Sequence, residues 1–333
     1  MVAQVLDDRS REPLLRRLHA NAGVEHRHLA LPLDEYPKLT DFGTANEHFV
    51  RVGLDLAESA VRSALEQAGL APRDVDVIVS TTITGIAAPS LEARLVQRIG
   101  LREDVHRVPL FGLGCVAGAA GLARAHDLVR ADPDTVAVLL SVELCSLTVQ
   151  REDTSTANLI ASGLFGDGAT AVVLVGDRRG AELGTGADTA KIIATRSHLY
   201  PDTERIMGWD VGGTGLKIVL DPRVPELART YLPADVTGLL DAYALATEDV
   251  TAWVCHPGGP KIIDAIEETL QLPENALELT RRGLAEVGNL SSSSVLRVLR
   301  DTLDKHPPVG TPGVMLAMGP GFCSELLLLE WGP

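Results

Sequence analysis

The chain has 333 residues, of which 45% are hydrophobic, which is enough for a large buried core and, by length alone, for about two domains. Its formal net charge of −15 at pH 7 and its pI near 5.0 exclude the broad basic face that nucleic acid or an anionic membrane surface requires. The four cysteines lack the paired spacing of a zinc site or a disulfide framework, which favours a reduced, cytoplasmic compartment.

No targeting or membrane-spanning segment is predicted. The N-terminal stretch MVAQVLDDRSREPLLRR has two early aspartates and no apolar core, which is not the pattern of a signal peptide. No apolar run approaches the roughly 18 residues that a membrane span needs.

Helices and apolar strands alternate through the first half of the chain. Helices are predicted over residues 51–69, 90–101 and 117–130, and strands over 74–82, 106–115, 134–143 and 166–177. This alternation predicts an α/β architecture with largely buried sheets.

The same order of elements recurs in the second half. Helices are predicted over 236–245, 261–272 and 291–303, a strand over 249–259, a small-residue turn within 283–289, and a closing strand and turn over 313–322. His256 and Asn289 are 33 residues apart, and the residue 33 positions before Cys115 is Thr82, at the end of the equivalent strand. We therefore expect a duplicated fold whose halves face each other across one site. The alternative is the ordinary alternation of any α/β protein.

Cys115 stands in the stretch FGLGCVAGAAGLAR, between a predicted strand and a predicted helix. A thiol at the first turn of a helix feels the positive end of the helix dipole and its free backbone N–H groups. A neighbouring imidazolium would lower the thiol pKa further, to about 3.5 to 7.5. Cys115 is therefore a candidate nucleophile, and the alternative is a small buried hydrophobic residue.

Two further residues lie at positions in the predicted fold that are typical of catalytic residues. His256, in WVCHPGGPKI, ends an apolar strand before a Pro-Gly-Gly turn, which is where α/β folds place functional groups, although a surface turn is the alternative. Asn289, in EVGNLSSSSVL, precedes a helix and is either an N-cap or an amide donor to an oxyanion. Together with Cys115 they predict acyl transfer.

These stretches resemble the type III polyketide synthases, in the chalcone/stilbene synthase-like superfamily on the thiolase fold. The motifs that carry the resemblance are LFGLGCVAGAAGL, SVELCSLTVQ, SGLFGDGATAVVL, VCHPGGPKIID, EVGNLSSSSVL and MGPGF, within about residues 45–323. The resemblance implies a layered αβαβα fold with two pseudo-equivalent halves. The half at 1–180 would carry the cysteine, and the half at 181–333 the histidine and asparagine.

The resemblance also implies the catalytic roles. Cys115 would attack an acyl thioester and hold the growing chain. His256 would pair with the thiolate and, with Asn289, stabilise the enolate that forms when a malonyl thioester loses CO2. Coenzyme A thioesters are the substrates, and neither a metal nor a redox cofactor is required.

Further positions match the family's substrate cavity. Phe165 in LFGDG matches a gatekeeper phenylalanine, with a plain core aromatic as the alternative. Gly215 falls near the second gatekeeper of the plant enzymes, so its small size would widen the cavity. Cys145 and Thr148 match cavity-lining positions, although a core cysteine is equally consistent with Cys145. Ala88 lies in the loop GIAAPS (85–90), which should project toward the neighbouring subunit of a homodimer.

The remaining matches concern the cavity wall and coenzyme A. Gly319, Pro320, Gly321 and Phe322 form the loop that shapes the family's cyclisation cavity, and FGDG contributes Asp167 and Gly168 as scaffold turns. For coenzyme A binding, the matching residues are Arg16 and Arg17, which otherwise form a solvated helix face, and the turn glycines Gly258 and Gly259. This basic set is thinner than in plant enzymes, which suits weaker coenzyme A binding or a starter on an acyl carrier protein. The chain also begins almost on the helix that contains Arg16, where the family usually has a preceding strand.

We expect an acyl starter, malonyl-type extension and cyclised release, with an alkyl α-pyrone as the first expectation. The variants are an aromatic product such as tetrahydroxynaphthalene or an alkylresorcinol, and a single-condensation enzyme like β-ketoacyl-ACP synthase III. HPGG and GPGF argue against that last enzyme. A catalytically inactive binding protein is the non-enzymatic alternative.

Overall fold

Residues 11–184 and 189–332 are described by a computed structural model. The helices are α1 (Glu12–Ala20), α2 (Phe42–Gln67), α3 (Leu91–Ile99), α4 (Ala117–Ala131), α5 (Thr156–Leu164), α6 (Asp177–Leu183), α7 (Val224–Asp241), α8 (Pro260–Thr269), α9 (Glu278–Val287) and α10 (Ser292–Leu303). The strands are β1 (Val77–Thr82), β2 (His106–Phe111), β3 (Val136–Leu144), β4 (Asp167–Val175), β5 (Ala190–Leu199), β6 (Met207–Gly212), β7 (Gly215–Leu220), β8 (Ala252–Cys255), β9 (Pro312–Gly319) and β10 (Cys323–Trp331).

Two mixed four-stranded sheets share the arrangement of three of their strands. The first has the order β2-β1-β3-β4, with β1 parallel to both β2 and β3, and β4 antiparallel to β3. The second has the order β8-β9-β10-β5, with β8 parallel to β9, and β10 antiparallel to both β9 and β5. β1, β3 and β4 therefore correspond to β8, β9 and β10. This correspondence confirms the predicted duplication.

The sheets and helices form five layers. α4 and α10 lie between the two sheets and share one apolar core with the inward faces of β1, β3, β8, β9 and β10. α2 and α3 cover the outer face of the first sheet, and α7 and α8 cover that of the second. All nine residues of β3 are buried, as expected for a strand enclosed on both faces. The result is the αβαβα architecture that the resemblance implied.

The two halves differ at their edges. The first half has β2 before the turn that leads into its central helix, whereas the second half has α9 there. In the second sheet, β5 pairs with β10, and no described strand takes the equivalent place beside β4. The N-terminal residues on which the missing-strand expectation depends, 1–10, lie outside the described residues.

Several predicted boundaries need correction. The strand predicted over 249–259 is only β8, four residues long, because the chain turns at His256. The helix predicted over 236–245 overlaps only the last third of α7, which begins at Val224, contains Pro233 and ends at Asp241. The predicted closing turn is followed by β10, and β5, β6 and β7 were not predicted. β5 and β6 are half-exposed and lack a clean two-residue alternation, so sequence periodicity gives little signal there.

None of the described helices is long and apolar enough to cross a membrane. The described residues also contain no cluster of three or more histidine, cysteine, aspartate or glutamate side chains that is suited to a metal ion.

The close contact between α4 and α10 predicts that a larger side chain at Gly118 destabilises the protein. A methyl group on Gly118 in α4 would lie 2.3 Å from the Ser292 carbonyl oxygen and 2.6 Å from Val295 in α10. We expect Gly118→Ala to lower the free energy of unfolding by about 1 to 3 kcal/mol, because the backbone cannot yield as a side chain does. Urea denaturation measures the change.

Gly208→Ala is the matched control, since nothing lies within 4 Å of a methyl group there. If both variants unfold at the same urea concentration as the wild type, the contact between α4 and α10 at Gly118 does not limit the stability of the protein.

Candidate active site

The nucleophile candidate lies at the turn between β2 and α4. Cys115 is the middle residue of a 3-10 turn, Gly114–Val116, that leads directly into α4. Gly114 has φ +55°, and a methyl group on it would lie 2.7 Å from the Pro320 ring, so this position requires glycine. The Cys115 thiol lies 3.8 Å from the Ser291 hydroxyl, within the distance of a weak S–H···O hydrogen bond. The cysteine therefore occupies the predicted helix-start position.

His256 follows β8 directly. Its backbone N–H donates to the Leu316 carbonyl oxygen at 2.8 Å, which continues the ladder to β9, and its residue exposure is 5%. Neither ring nitrogen has a hydrogen-bond partner among the described residues. A buried imidazole without partners is available to a ligand or to a reacting proton.

Asn289 contacts residues 164–166 of the first half of the chain and the turn after His256 in the second half. Its backbone N–H donates to the Leu164 carbonyl at 2.9 Å, and its carbonyl accepts from the Gly166 N–H at 3.0 Å. Its side-chain amide nitrogen is 3.5 Å from the Gly258 carbonyl oxygen, in the turn after His256. Asn289 is not the N-cap residue, because Ser291 occupies that position of α10, without a side-chain capping hydrogen bond, and Asn289 lies two residues earlier. The amide is thus directed at the His256 turn.

A chain of contacts joins the three residues. Ser291 is the link: its hydroxyl lies beside the Cys115 thiol, and its backbone N–H donates to the Asn289 Oδ1 at 2.8 Å. The Asn289 amide then reaches the Gly258 carbonyl, two residues after His256. The thiol, the amide donor and the turn that follows the imidazole are therefore linked where the two halves meet. This is a set suited to nucleophilic acyl transfer.

Burial governs the protonation of the thiol and the imidazole. It raises the pKa of the Cys115 thiol to about 12, against the smaller opposing effect of the Ser291 hydrogen bond. Burial also lowers the pKa of His256 to about 3. The range of about 3.5 to 7.5 was expected for a thiol beside an imidazolium, and it stays a prediction. Each group alone favours its neutral form, because a buried charge is poorly solvated.

Glu143 is a buried polar residue of the site that the sequence analysis missed. Its side chain accepts hydrogen bonds from the Ser292 hydroxyl at 2.5 Å, the Ile83 N–H at 3.0 Å and the Thr84 hydroxyl at 3.0 Å. Burial raises its pKa, and a charge on it would further raise the pKa of the Cys115 thiol. A glutamate within the apolar run VAVLLSVEL was the available signal, since an unpaired carboxylate is rarely buried.

The predicted cavity residues on the β3–α5 side lie near this carboxylate. Cys145 is buried at the start of a short 3-10 helix after β3, and burial raises its thiol pKa well above the usual value. Thr148 donates to the Cys145 carbonyl oxygen at 2.8 Å. Asp167 holds this 3-10 helix through the Ser146 N–H at 2.7 Å, and burial raises its pKa to about 6. Asp167 is thus a scaffold residue, as predicted.

The gatekeeper candidates have different settings. Phe165 is half-buried, and its backbone forms a β-bridge with Asn289, which places it at the site. Gly215 has φ +107° at the β6–β7 turn, where a methyl group would lie 3.2 Å from the Phe42 ring. No contact in the described structure joins Gly215 to the three central residues. Ala88 is exposed in the loop after β1.

The loop Gly319–Phe322 lies against the nucleophile turn. A methyl group on Gly319 would lie 2.9 Å from the Val116 nitrogen, and the Pro320 ring packs on Gly114. Gly321 has φ +122°, and Phe322 is fully buried. This loop therefore forms a wall next to Cys115.

The predicted coenzyme A contacts remain predictions. Arg16 and Arg17 are exposed on α1, and Arg16 pairs with Glu12 at 2.6 Å within the same helix. Gly259, with φ +145°, caps the N-terminus of α8, and Gly258 is half-buried beside His256.

Comparison with known proteins gives matches over nearly the whole chain. Residues 45–185 match the family described as FAE1/type III polyketide synthase-like proteins, and residues 191–331 match the C-terminal domain of chalcone and stilbene synthases.

Individual relatives cover the same extent. The 1,3,6,8-tetrahydroxynaphthalene synthase of Streptomyces peucetius subsp. caesius is 56% identical over 96% of this chain and 84% of its own length. The phloroglucinol synthase of Pseudomonas fluorescens is 33% identical over 97% of this chain and 91% of its own. The crystal structure of 1,3,6,8-tetrahydroxynaphthalene synthase from Streptomyces coelicolor A3(2), a bacterial type III polyketide synthase, matches with a TM-score of 0.91 and 32% identity. It covers 100% of this chain and 93% of that one.

Because the Cys115 thiol is buried, its rate of alkylation is predicted to depend on the His256 imidazole. We expect His256→Ala to slow iodoacetamide alkylation of Cys115 at pH 7 by at least about tenfold, because only a thiolate reacts, burial holds the thiol pKa near 12, and the imidazole is the group expected to accept the thiol proton. Below that pKa the thiolate fraction rises tenfold per pH unit, so the variant's rate should climb steadily from pH 7 to 10. Mass spectrometry of the Cys115 peptide measures the rate.

Asn289→Ala is the matched control, because an amide does not accept the thiol proton and its loss should leave the rate within a few-fold. A His256→Ala profile that overlays the wild type would show that the imidazole does not influence the thiol.

Proposed function

Because the chain belongs to the type III polyketide synthase family, an acyltransferase family that forms carbon–carbon bonds by decarboxylative Claisen condensation, we propose that it makes a tetrahydroxynaphthalene-type aromatic product. The observation that carries this proposal is the 56% identity to a 1,3,6,8-tetrahydroxynaphthalene synthase over 96% of the chain. The phloroglucinol synthase similarity supports an aromatic product more broadly. Family membership disfavours the inactive binding protein and the single-condensation enzyme.

In the proposed loading step, the Cys115 sulfur attacks the carbonyl carbon of a coenzyme A thioester. His256 takes the thiol proton and returns it to the coenzyme A sulfur as that thiol leaves. The imidazole suits this exchange because its ring nitrogens have no competing partner among the described residues. Proton transfer creates both charges together, so their mutual attraction offsets the desolvation that each would suffer alone.

In the proposed extension step, a malonyl thioester loses CO2, and the electron pair of the broken bond forms an enolate. The His256 imidazole and the Asn289 amide donate hydrogen bonds to the enolate oxygen. The enolate carbon attacks the acyl carbonyl on Cys115, and the cysteine sulfur leaves. Asn289 suits this role because its amide is buried and held toward the His256 turn. The starter and extender are coenzyme A thioesters, with an acyl carrier protein as the alternative starter donor.

An alkyl α-pyrone, the first expectation from the sequence, becomes the second candidate. That expectation relied on Gly215 as a small cavity residue. In the structure Gly215 has φ +107° at a hairpin turn, so the backbone conformation accounts for glycine there without reference to cavity size. The relatives named above favour the aromatic alternative.

We expect purified protein given malonyl-CoA alone to form 1,3,6,8-tetrahydroxynaphthalene, detected by liquid chromatography and mass spectrometry. Cys115→Ala should abolish the product. Asn289→Ala should reduce it about 100- to 1,000-fold, as removal of one oxyanion donor does elsewhere. Formation of pyrones alone, with or without added acyl-CoA starters, would contradict the aromatic proposal.

We also propose that the enzyme is a homodimer in the cytoplasm. β2 is an edge strand whose residues are half-buried or exposed, and Phe111 at its end is 55% exposed, four residues before Cys115. Pairing of this edge with a second copy would satisfy its free backbone groups and cover the phenylalanine. The exposed loop around Ala88 supports contact with a partner's cavity. The four free cysteines support a reducing compartment.

The dimer proposal predicts that the 35.4 kDa chain sediments at about twice that mass. Phe111→Asp should shift it toward the monomer, because the substitution places a charge on the apolar edge. Analytical ultracentrifugation measures both. Val309→Asp, at a similarly exposed apolar residue outside β2, is the control and should leave the mass unchanged. A monomeric wild type at micromolar concentration would contradict the proposal.

A further inference from the structure

The loop Gly319–Phe322 is held from the side opposite Cys115 by the segment that follows β5. The Tyr200 N–H donates to the Phe322 carbonyl at 3.0 Å, and the Gly321 N–H reaches the Met207 carbonyl at 3.3 Å. The loop is therefore fixed between the nucleophile turn on one side and residues 200–207 on the other.

Thr203 makes the side-chain contact in this arrangement. Its hydroxyl accepts from the Phe322 N–H at 2.9 Å, and it lies 3.0 Å from the Gly321 carbonyl and 2.7 Å from the Tyr200 carbonyl. The residue is 5% exposed. A buried N–H left without this acceptor would have to find another partner, so the hydroxyl determines where the Gly321–Phe322 peptide lies.

The buried carboxylate of Asp235 binds two segments that contact the Gly319–Phe322 loop, the one that begins at Tyr200 and the one that contains Ser324. Asp235 in α7 accepts hydrogen bonds from the Tyr200 hydroxyl on one flank and from the Ser324 hydroxyl, at 2.9 Å, on the other. It also lies 2.7 Å from the His198 Nδ1. The Tyr200 ring stacks on Tyr231 with centroids 4.2 Å apart. These contacts limit movement of the segment that presents Thr203.

We infer that Thr203 is a positioning residue for product selection: through its hydrogen bonds to Gly321 and Phe322, it sets the distance of the cavity wall from Cys115. The inference rests on the proposed function, because the wall acts on a chain growing from that cysteine. The hydrogen bonds of the Thr203 hydroxyl go to backbone groups of Tyr200, Gly321 and Phe322 and not to the Cys115 thiol, so we expect loading of Cys115 to proceed without it. We expect chain length and ring closure to depend on Thr203, because both depend on the space beside the thioester.

Thr203→Val tests this, since valine keeps the branched shape and removes the hydroxyl. We expect the ratio of full-length cyclised product to shorter products, measured by mass spectrometry, to fall at least fivefold. The rate of Cys115 acylation should stay within twofold. Thr203→Ser keeps the hydroxyl and should restore the ratio. Thr302→Val is the matched control, because it removes a buried hydroxyl that donates to the Val298 carbonyl in α10, and it should leave the ratio unchanged.

Hydrogen exchange gives a readout independent of turnover. The Phe322 amide should exchange at least tenfold faster in Thr203→Val than in the wild type, and Tyr200→Phe, which loses the Asp235 bond but keeps the ring, should shift it in the same direction. If Thr203→Val does not fold, Tyr200→Phe carries the test with both readouts. An unchanged product ratio and unchanged exchange in a folded variant would overturn the inference, as would failure of serine to rescue.

The outcome is separable from that of the proposed function. Each variant is compared with the polyketides that the wild type makes. If the wild type forms pyrones, the aromatic proposal is contradicted, but the ratio of full-length to shorter products in Thr203→Val still tests the role of Thr203. If the wild type shows no turnover, the exchange rate of the Phe322 amide tests whether Thr203 holds the loop.

Discussion

The close approach of the two central helices is the constraint on which the rest of the structure depends. α4 and α10 meet where Gly118 leaves no room for a side chain, since the Ser292 carbonyl oxygen is only 2.3 Å from the place that a methyl group would take. Cys115 lies just before the first helix, and Asn289 just before the second. Bringing the helix starts together therefore brings the Cys115 thiol and the Asn289 amide together. The placement of these candidate catalytic groups is a consequence of how two repeated halves pack.

A run of buried serines adapts this apolar interface to polar chemistry. The Ser141 hydroxyl on β3 lies 2.7 Å from that of Ser292 and 2.6 Å from that of Ser293, and Ser292 also binds Glu143. Hydroxyls are small and both donate and accept, so they satisfy a buried carboxyl group without charge. The site thus contains hydrogen-bonding groups but, among the described residues, no permanent cation close to the thiol. This explains why burial alone disfavours the thiolate until a proton acceptor is engaged.

The cavity wall is built differently from the catalytic centre. The three central residues are held by backbone ladders and by the packing of the helices, which duplication provides twice. The Gly319–Phe322 loop packs on the Cys115 turn through Gly319 and Pro320, and its far side is held by the second half, by Thr203 directly and by Asp235 through its neighbours. The contacts on the far side do not include the three central residues. Substitutions there are therefore expected to alter the cavity while the three central residues stay in place.

By itself, the sequence determined the alternation of helices and strands, the duplication, and the identity of Cys115, His256 and Asn289 as the candidate triad. These features are local: apolar periodicity, glycine-rich turns and short motifs each depend on a few neighbouring residues. The half-exposed strands β5 and β6 were missed because their periodicity is weak.

Only the tertiary structure decided what surrounds those residues. It showed that Glu143 lies near the thiol, that Asn289 is not a helix cap, that Gly215 serves a hairpin turn, and that burial raises the thiol pKa. Each of these depends on groups that are distant in sequence: Ser291 is 176 residues from Cys115, and Ser292 is 149 residues from Glu143. Desolvation and long-range hydrogen bonds are properties of the packed chain, so local sequence patterns do not encode them directly.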